Sequence, residues 1–468
     1  MDFLPTLYFA QQAAFRRMPQ PSRAARRADL LALKQLLKDN TDAIVAAMCN
    51  DYGNRSRHET QFAEIIPALD GIDHALRHLR SWMRVRHRSV DSLLFPGGRN
   101  RVLPQPRGVV GLIMPWNFPV NLTFLQLAAV FAAGNRAMVK MSENSIALSR
   151  LLKQLSPRYF PTDKLVFVEE TGGVGIEFSK LPFDLIIFTG SGQTGRAVMA
   201  SASQNLTPVI LELGGKSPAI IDPRYPLEKA VGRIMFAKQF NAGQICTTVD
   251  YVLLDESQRD RFVELARDWV RRHVPDIESA DYTSIIDQRS FQRLVDTIED
   301  ARGKGATVIN LCGDQQPDAS LRKFPLCLVL DTRDDMIVRN RETFGPILMV
   351  ETYDRPEQAI EFVNSHPDPL ALYPFSNDAA LVQRYIEAIP CGGVTVNDAL
   401  LHVGQHDLPF GGLGQSGMGH YHGREGFEAC SKLLPVFHQA RWTAVSYLTP
   451  PYRKLATRVL DLLVKLKS

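Results

Sequence analysis

The sequence predicts an α/β protein built on two mostly parallel sheets, and three observations favour that class. From Gly108 onward, short buried apolar segments alternate with helical ones, which is typical of parallel strands covered by helices on both faces. Residues 186–195 form a strand that runs into a glycine turn and then a helix. At 468 residues the chain is too long for one ordinary core, so at least two domains are expected.

The elements follow from the spacing of the apolar residues. Helical spacing in residues 22–48 and 64–82 predicts a helical N-terminal part. Residues 95–98, Phe-Pro-Gly-Gly, are predicted to form the tip of a hairpin. The predicted strands are 109–114, 137–140, 165–168, 185–189 and 209–213 in the first sheet, and 250–254, 324–330, 347–353 and 393–396 in the second. Helices are predicted at 122–133 and 258–274.

Composition excludes several classes of function. The 54 Lys and Arg against 50 Asp and Glu leave a net charge of only +4, without the basic stripe typical of nucleic-acid binding. Six cysteines are scattered without a CxxC pair, which favours neither a disulfide framework nor a zinc ribbon. The first residues do not resemble a secretory signal, and no apolar run reaches the roughly 18 residues of a membrane span. We therefore expect a cytoplasmic protein.

The glycine turn of residues 186–195 satisfies the pattern G-x-G-x-x-G through Gly190, Gly192 and Gly195. With Ser191, this turn would place a dinucleotide pyrophosphate at a helix N-terminus. The fingerprint also needs an acid about 20 residues on to bind the ribose, and Glu212 fits that spacing. An ordinary tight strand–helix turn is the alternative.

Residues 240–246, Phe-Asn-Ala-Gly-Gln-Ile-Cys, suggest a different use for Glu212. The Cys246 thiol can add to a carbonyl and later leave, while a carboxylate such as Glu212 activates the water that releases the acyl group. A lone cysteine is more often a small buried hydrophobe. From the residues alone, the two roles of Glu212 therefore conflict.

A resemblance to a known family decides between the two roles of Glu212. It is carried by seven motifs that occur in the order and at the approximate spacing of that family. They are Pro115-Trp116-Asn117-Phe118-Pro119, Lys140-Met141-Ser142-Glu143, Phe188-Thr189-Gly190-Ser191, Glu212-Leu213-Gly214-Gly215-Lys216-Ser217-Pro218, Gly243-Gln244-Ile245-Cys246, Glu342-Thr343-Phe344-Gly345-Pro346 and Pro409-Phe410-Gly411-Gly412. Over nearly its whole length the chain resembles the aldehyde dehydrogenase family. The resemblance implies that family's fold, with a Rossmann-like NAD-binding domain, an α/β catalytic domain and a small β oligomerisation element.

The resemblance implies three catalytic residues. Cys246 is the nucleophile, as the thiolate, activated by backbone dipoles, a distant residue or the bound cofactor. Asn117 and the Cys246 amide stabilise the oxyanion, and Glu212 is the base that hydrolyses the thioester. Read alone, Asn117 would be a turn former and Glu212 an ion-paired carboxylate. Because all three are present, a non-catalytic relative is disfavoured. Glu212 also disfavours an enzyme that transfers the acyl group to coenzyme A. A cofactor-free cysteine hydrolase, which would act without NAD, is a third alternative.

The resemblance also implies an NAD site. Lys140 and Glu143 are expected to bind the adenosine ribose, and the carboxylate there favours NAD while leaving NADP possible. Glu342 is expected to bind the nicotinamide ribose, with Phe344 packing near the ring and Trp116 in the same site; alone, Glu-x-Phe-Gly-Pro would indicate a helix-end turn. Gly190, Ser191 and Gly195 are retained as cofactor-binding residues, although the family does not use this loop in the usual Rossmann manner.

Residues 396–403, 408–412 and 417–427 resemble the class 3 branch and, within it, bacterial coniferyl aldehyde dehydrogenases. The expected reaction is oxidation of coniferyl aldehyde to ferulate, with medium or long aliphatic aldehydes as the alternative. Phe118 and Phe410 line an apolar tunnel or belong to the ordinary core, and His422 is a candidate for the tunnel mouth. Four histidines close together in sequence, His402, His406, His420 and His422, could suggest a metal site. No catalytic step needs a metal, so no metal site is predicted.

The resemblance also sets the expected domain limits. Residues 1–83 and 107–213 form the NAD-binding domain, 214–415 the catalytic domain, 84–106 and 416–440 the oligomerisation element, and 441–468 a tail helix. A homodimer is expected, joined by the 99–106 hairpin strand and a late strand near 433–439. The basic amphipathic tail is too short to cross a bilayer; docking on protein is favoured over weak contact with a membrane surface.

Overall fold

The computed structural model describes residues 3–441, 443 and 448–467. Its α-helices, in chain order, are α1 (Phe3–Arg17), α2 (Arg23–Asp39), α3 (Thr41–Tyr52), α4 (Arg57–Thr60), α5 (Ile66–Trp82), α6 (Pro119–Ala133), α7 (Ile146–Leu155), α8 (Val174–Ser179), α9 (Gly192–Ser203), α10 (Leu227–Gln239), α11 (Arg259–His273), α12 (Gln288–Gly303), α13 (Ile337–Asn340), α14 (Pro356–Asn364), α15 (Ala379–Ala388), α16 (Gly423–Ala429) and α17 (Lys454–Lys467). Its β-strands are β1 (Arg86–Arg88), β2 (Arg99–Pro106), β3 (Val109–Ile113), β4 (Arg136–Lys140), β5 (Leu165–Val168), β6 (Leu185–Thr189), β7 (Val209–Glu212), β8 (Ser217–Ile221), β9 (Val249–Asp255), β10 (Thr307–Asn310), β11 (Cys327–Leu330), β12 (Ile347–Tyr353), β13 (Tyr373–Phe375), β14 (Gly417–Met418) and β15 (Ser431–His438). Alternation of strands and helices from β3 onward confirms the predicted α/β class.

The first sheet has the strand order β14-β7-β6-β3-β4-β5, and all neighbouring pairs except β14–β7 are parallel. Chain order reverses between β3 and β6, because β4 and β5 extend one side of the sheet and β6 and β7 the other. Ligand crevices form at such reversals, outside the carboxyl ends of the strands. Helix α6 leads away from this crevice with all 15 residues buried, as expected of a mostly apolar helix enclosed by α2, α5 and α16.

The second sheet has the order β10-β11-β12-β9-β8-β13, and only the β10–β11 pair is antiparallel. Two predictions differ from the structure here and in the N-terminal part. The predicted strand 393–396 is wrong, because Val394 forms only an isolated bridge with Leu372 and the backbone turns left-handed at Asn397, with φ 60°. The predicted helical stretch 22–48 is two helices, with the break at Asn40.

A third sheet joins distant parts of the chain in the order β1-β2-β15, with both pairs antiparallel. The predicted hairpin tip is confirmed: the Gly98 amide donates to the Phe95 carbonyl at 3.0 Å, and Gly97 adopts φ 77°. Strand β15 pairs along the whole of β2, so the two segments expected to mediate oligomerisation lie side by side.

The tail is described from residue 448 to 467, so part of the predicted span 441–468 lies outside the described residues. Helix α17 buries Ala456, and the Lys467 ammonium pairs with Asp91. Its apolar side chains that remain exposed are Leu455, Val459, Leu460, Leu462, Val464 and Leu466. Of the helices that the structure describes, none combines the length and apolar character needed to span a bilayer.

Candidate active site

The carboxyl edge of the first sheet brings several predicted site residues together. Lys140 ends β4 and Glu212 ends β7, while Gly190 follows β6 directly. Asn117 lies four residues beyond β3. Because the carboxyl ends of parallel strands share one edge, four motifs that are distant in sequence meet at the crevice where the strand order reverses.

Cys246 is presented by an unusual turn after α10. Asn241, Ala242 and Gly243 are successive left-handed residues, with φ of 51°, 50° and 71°. A Cβ on Gly243 would lie 2.3 Å from the carbonyl oxygen of Gly345, so only glycine fits there. This close approach places the Cys246 loop against the Glu-x-Phe-Gly-Pro segment, and the strained backbone is typical of functional sites.

The side chain of Gln244 fixes the same loop from within. Its Nε2 donates to the carbonyls of Asn241 at 3.0 Å and Ser284 at 3.1 Å. Its Oε1 accepts from the amide of Ile286 at 3.0 Å. Gln244 is fully buried, so these bonds hold the nucleophile loop on the second domain without competition from water.

Cys246 lies beside an apolar cluster while part of its own surface remains accessible, as an approachable nucleophile requires. The buried members of this cluster are Phe118, Leu122, Phe240, Ile245, Leu370, Phe410 and Tyr421. Burial, followed by the charges of Glu342 and Glu212, raises the pKa of Cys246 to about 12. These surroundings favour the thiol, so the expected thiolate requires the activation by backbone dipoles, a distant residue or the bound cofactor that the resemblance implies.

Glu212 is a buried carboxylate with no hydrogen-bond partner for either oxygen among the described residues. Burial alone raises its pKa well above the ordinary value. Strand pairing of Glu212 with Thr189 and Gly417 fixes its main chain. Once ionised, a carboxylate with a raised pKa is a stronger base than an ordinary glutamate. It can also hold its proton until water or another proton acceptor enters the site.

The Asn117 amide points towards the nucleophile loop, with Nδ2 donating to the carbonyl of Gln244 at 3.3 Å. Its main-chain carbonyl accepts from Arg55 Nη1 at 2.8 Å and from the Tyr52 hydroxyl at 3.2 Å. Asn117 is 4% exposed, so the amide is fixed on both sides before any substrate arrives. Such preorganised donors are what oxyanion stabilisation requires.

Sequence reasoning missed the residues behind Asn117. Arg55 Nη2 lies 3.1 Å from Glu64 Oε1, and both side chains are fully buried. The other Glu64 oxygen accepts from the amides of Val120 and Asn121, at the start of α6. Charged residues in helical surroundings normally indicate an exposed face, and nothing in the local sequence signals this burial.

Three charged side chains meet at the expected adenosine-ribose site. Lys140 Nζ lies 3.8 Å from Glu143 Oε2, but only 2.8 Å from Glu170 Oε2. Glu143 is largely exposed, whereas the side chains of Lys140 and Glu170 are almost buried. Glu170 was not predicted, because it follows β5 in a glycine-rich loop that carries no recognised motif.

The other expected cofactor residues are Glu342, Phe344 and Trp116. Glu342 packs on Gly214, where a Cβ would approach its Oε2 to 2.0 Å, and its Oε1 has no hydrogen-bond partner among the described residues. Burial raises the pKa of Glu342 to about 8. The rings of Trp116 and Phe344 meet edge to face at 5.4 Å.

The glycine turn after β6 is a capped helix start. Ser191 Oγ accepts from the Thr194 amide at 3.2 Å, and Ser191 is the N-cap of α9. A Cβ on Gly195 would lie 2.7 Å from the Leu213 side chain, so this glycine allows α9 to pack on the end of β7. The turn thus has a structural purpose alongside its expected place in the cofactor site.

The residues present fit a nicotinamide dinucleotide. Glu342 Oε1 is a buried acceptor that lacks a protein partner in the described part of the chain, and ribose hydroxyls are donors that would satisfy it. Lys140 and Glu143 would hold the other ribose, and Ser191 stands at the turn expected to face the pyrophosphate. Gly214 leaves room for the Glu342 carboxylate, which a side chain at that position would displace.

Comparison with known proteins settles the family. The sequence model of the protein family described as the aldehyde dehydrogenase family matches residues 7–434 of this chain. The chain belongs to the aldehyde dehydrogenase family. It is accordingly an oxidoreductase that acts on aldehydes with NAD or NADP as the cofactor of its family.

Individual relatives are similar over almost their full length. A probable coniferyl aldehyde dehydrogenase from Pseudomonas aeruginosa is 45% identical over 96% of this chain and 94% of its own. A protein of the same name from Caulobacter vibrioides is 42% identical over 94% of this chain and 93% of its own. Among solved structures, the substrate-bound state of Staphylococcus aureus AldH has a TM-score of 0.91 at 30% identity, covering 98% of this chain and 99% of that one. The predicted aldehyde dehydrogenase fold is confirmed.

Proposed function

We propose that this enzyme oxidises coniferyl aldehyde, a planar aromatic aldehyde, to ferulate with NAD. The observation that carries the proposal is the aromatic content of the apolar cluster against which Cys246 packs, which includes Phe118, Phe240, Phe410 and Tyr421. Phe240 belongs to the apolar cluster at the thiol and also borders a cavity of about 390 Å³ with Phe62 and Phe236. The Phe240 ring lies 5.9 Å from the Phe62 ring, edge to face, and 5.5 Å from the Phe236 ring. Aromatic walls of this kind favour a flat ring.

The reaction starts with bond formation between the Cys246 sulfur and the aldehyde carbon, which gives a thiohemiacetal. The carbonyl π electrons move to oxygen, where the Asn117 amide and the Cys246 N–H donate to the developing charge. The thiol proton passes to solvent as the carbon–sulfur bond forms, because part of the Cys246 surface is accessible, and Glu212 stays ionised for the second step. A bound NAD or NADP supplies the acceptor for the hydride that leaves the thiohemiacetal carbon.

The resulting thioester is then hydrolysed. Glu212 takes a proton from water, the water oxygen adds to the acyl carbon, and the carbon–sulfur bond breaks to return the Cys246 thiolate and release the acid. A proton acceptor with a raised pKa suits this step, since its proton affinity approaches that of the reacting groups. Glu342 and Phe344 are assigned to the nicotinamide end of the cofactor, and Lys140 with Glu143 to the adenosine end.

A second candidate substrate is a medium- or long-chain aliphatic aldehyde. One observation favours it: a relative from Staphylococcus aureus, 32% identical over 97% of both chains, is named 4,4'-diaponeurosporen-aldehyde dehydrogenase. The discriminating measurement is kcat/KM with NAD for coniferyl aldehyde beside decanal, without coenzyme A. A preference of tenfold or more for the aromatic, about 1.4 kcal/mol in transition-state binding, supports coniferyl aldehyde. A preference for decanal overturns the assignment of coniferyl aldehyde as the substrate.

We also propose a cytoplasmic homodimer. Support for the dimer comes from β15, an edge strand of the third sheet that exposes Leu433 and Phe437. All six cysteines are free, in keeping with a reducing compartment. We expect the exposed apolar side chains of α17 to dock on a protein partner, with weak contact with a membrane surface as the alternative. Light scattering of the wild type beside Phe437→Lys tests the dimer, and a monomeric wild type would contradict it.

A further inference from the structure

Glu170 makes an unexpected ion pair in the expected adenosine-ribose site. Its Oε2 lies 2.8 Å from Lys140 Nζ, and the side chains are 13% and 8% exposed. Glu143, the acid named by the family motif, stands 3.8 Å from the same nitrogen and is 69% exposed. The shorter and better shielded contact of Lys140 is therefore with Glu170.

Backbone amides hold the Glu170 carboxylate in place. Oε1 accepts from Gly172 at 3.0 Å and from Val174 at 2.9 Å, and Oε2 accepts from Gly175 at 2.9 Å. Gly172 and Gly173 adopt φ of 94° and 77°, which lets the loop curl around the carboxylate. The anion that these amides bind is thus supplied by the chain itself.

The carboxylate is charged at neutral pH. Burial raises the pKa of Glu170, but the hydrogen bond and charge of Lys140, together with the amides of Gly175 and Val174, bring it below the ordinary value. One ammonium therefore faces two carboxylates, those of Glu170 and Glu143. A 2′-phosphate would add negative charge where this balance is already negative.

We infer that Glu170 is a specificity-determining residue that selects NAD over NADP. It binds Lys140 and the loop amides, the groups that could otherwise hold a 2′-phosphate, and it opposes that phosphate with its own charge. An unphosphorylated ribose requires only hydrogen bonds and is tolerated. The inference rests on the proposed function, in which Lys140 and Glu143 bind the adenosine ribose.

The test compares Glu170→Gln with Glu169→Gln in the full chain. Dissociation constants for NADH and NADPH are measured by fluorescence titration at one fixed ionic strength. Glutamine keeps a carbonyl that accepts from the loop amides but frees Lys140, so the ratio Kd(NADPH)/Kd(NADH) should fall tenfold or more. Glu169 pairs instead with Lys153 and Arg150 on the outer side, and its variant should change that ratio less than threefold.

Two further measurements test the inference. The first needs no substitution, so it applies even if Glu170→Gln folds poorly. Wild-type enzyme that binds NADPH as tightly as NADH overturns it without any substitution. In a Glu170→Gln/Lys140→Met variant the gain for NADPH should disappear, because the freed ammonium is its source; a persistent gain also overturns it. If Glu170→Gln leaves the ratio Kd(NADPH)/Kd(NADH) unchanged while NADH binding and aldehyde turnover are intact, only the role of Glu170 is rejected. If the wild type shows neither NADH binding nor aldehyde turnover, the proposed function is rejected.

Discussion

The Arg55 guanidinium holds the main chain of Asn117 from behind, with Nη1 2.8 Å from the Asn117 carbonyl oxygen. The same side chain is paired with Glu64, whose second oxygen accepts from Val120 and Asn121. The buried pair therefore links Asn117, in the turn after β3, to the first turn of α6. Because that turn carries the candidate oxyanion donor, the pair positions Asn117 without touching the substrate.

Replacing Arg55 tests this arrangement through stability. Arg55→Met leaves Glu64 buried without its partner, so the free energy of unfolding should fall by about 3–5 kcal/mol. The matched control is Arg57→Met, whose partner Asp42 is largely exposed and whose pair is worth less than about 1 kcal/mol. Urea denaturation followed by circular dichroism measures both. Equal losses in the two variants would show that the buried pair carries no special weight.

Asn117→Ala removes the amide that we assign to the oxyanion. We expect kcat to fall by about 10²- to 10³-fold, the usual effect of losing one such donor. The dissociation constant for NADH should change less than about threefold, since the lost group faces the thiol loop rather than the ribose sites. Steady-state kinetics with coniferyl aldehyde and an NADH titration provide the two readouts. A variant with wild-type kcat would remove Asn117 from the mechanism.

Sequence pattern predicts the parts of this molecule that depend on local order. Strands such as Leu165–Val168 and Ile347–Tyr353 have the predicted bounds, because buried parallel strands are short, apolar and clearly bounded. Placing Glu212 at a strand end likewise needs only the neighbouring residues. The pairs Arg55–Glu64 and Lys140–Glu170 could not be predicted, because each forms only when separate segments pack together and bury charges that look exposed in sequence.

Cys246→Ala should abolish aldehyde oxidation, because no other group in the proposed mechanism can form the thioester. Binding of NADH should remain within about threefold of the wild type, since alanine fills less space and removes no ribose contact. Cys49→Ala is the control, as Cys49 is also partly accessible but lies on α3, outside the nucleophile loop. Turnover of Cys246→Ala at the wild-type rate would contradict the mechanism, and loss of activity in Cys49→Ala would point to a second essential thiol.

Glu212 should give the reaction a rising limb with pH. A base acts when it is ionised, and burial raises its pKa well above the ordinary value of about 4.3 for glutamate. Activity should therefore be low when Glu212 is protonated and should rise as pH increases through this raised pKa, rather than near pH 4. Glu212→Gln should slow thioester hydrolysis by about 10²- to 10⁴-fold and remove that limb. Intact-protein mass spectrometry after one turnover should then find the acyl group on the variant but not on the wild type. Rapid turnover without a trapped acyl-enzyme would assign the base elsewhere.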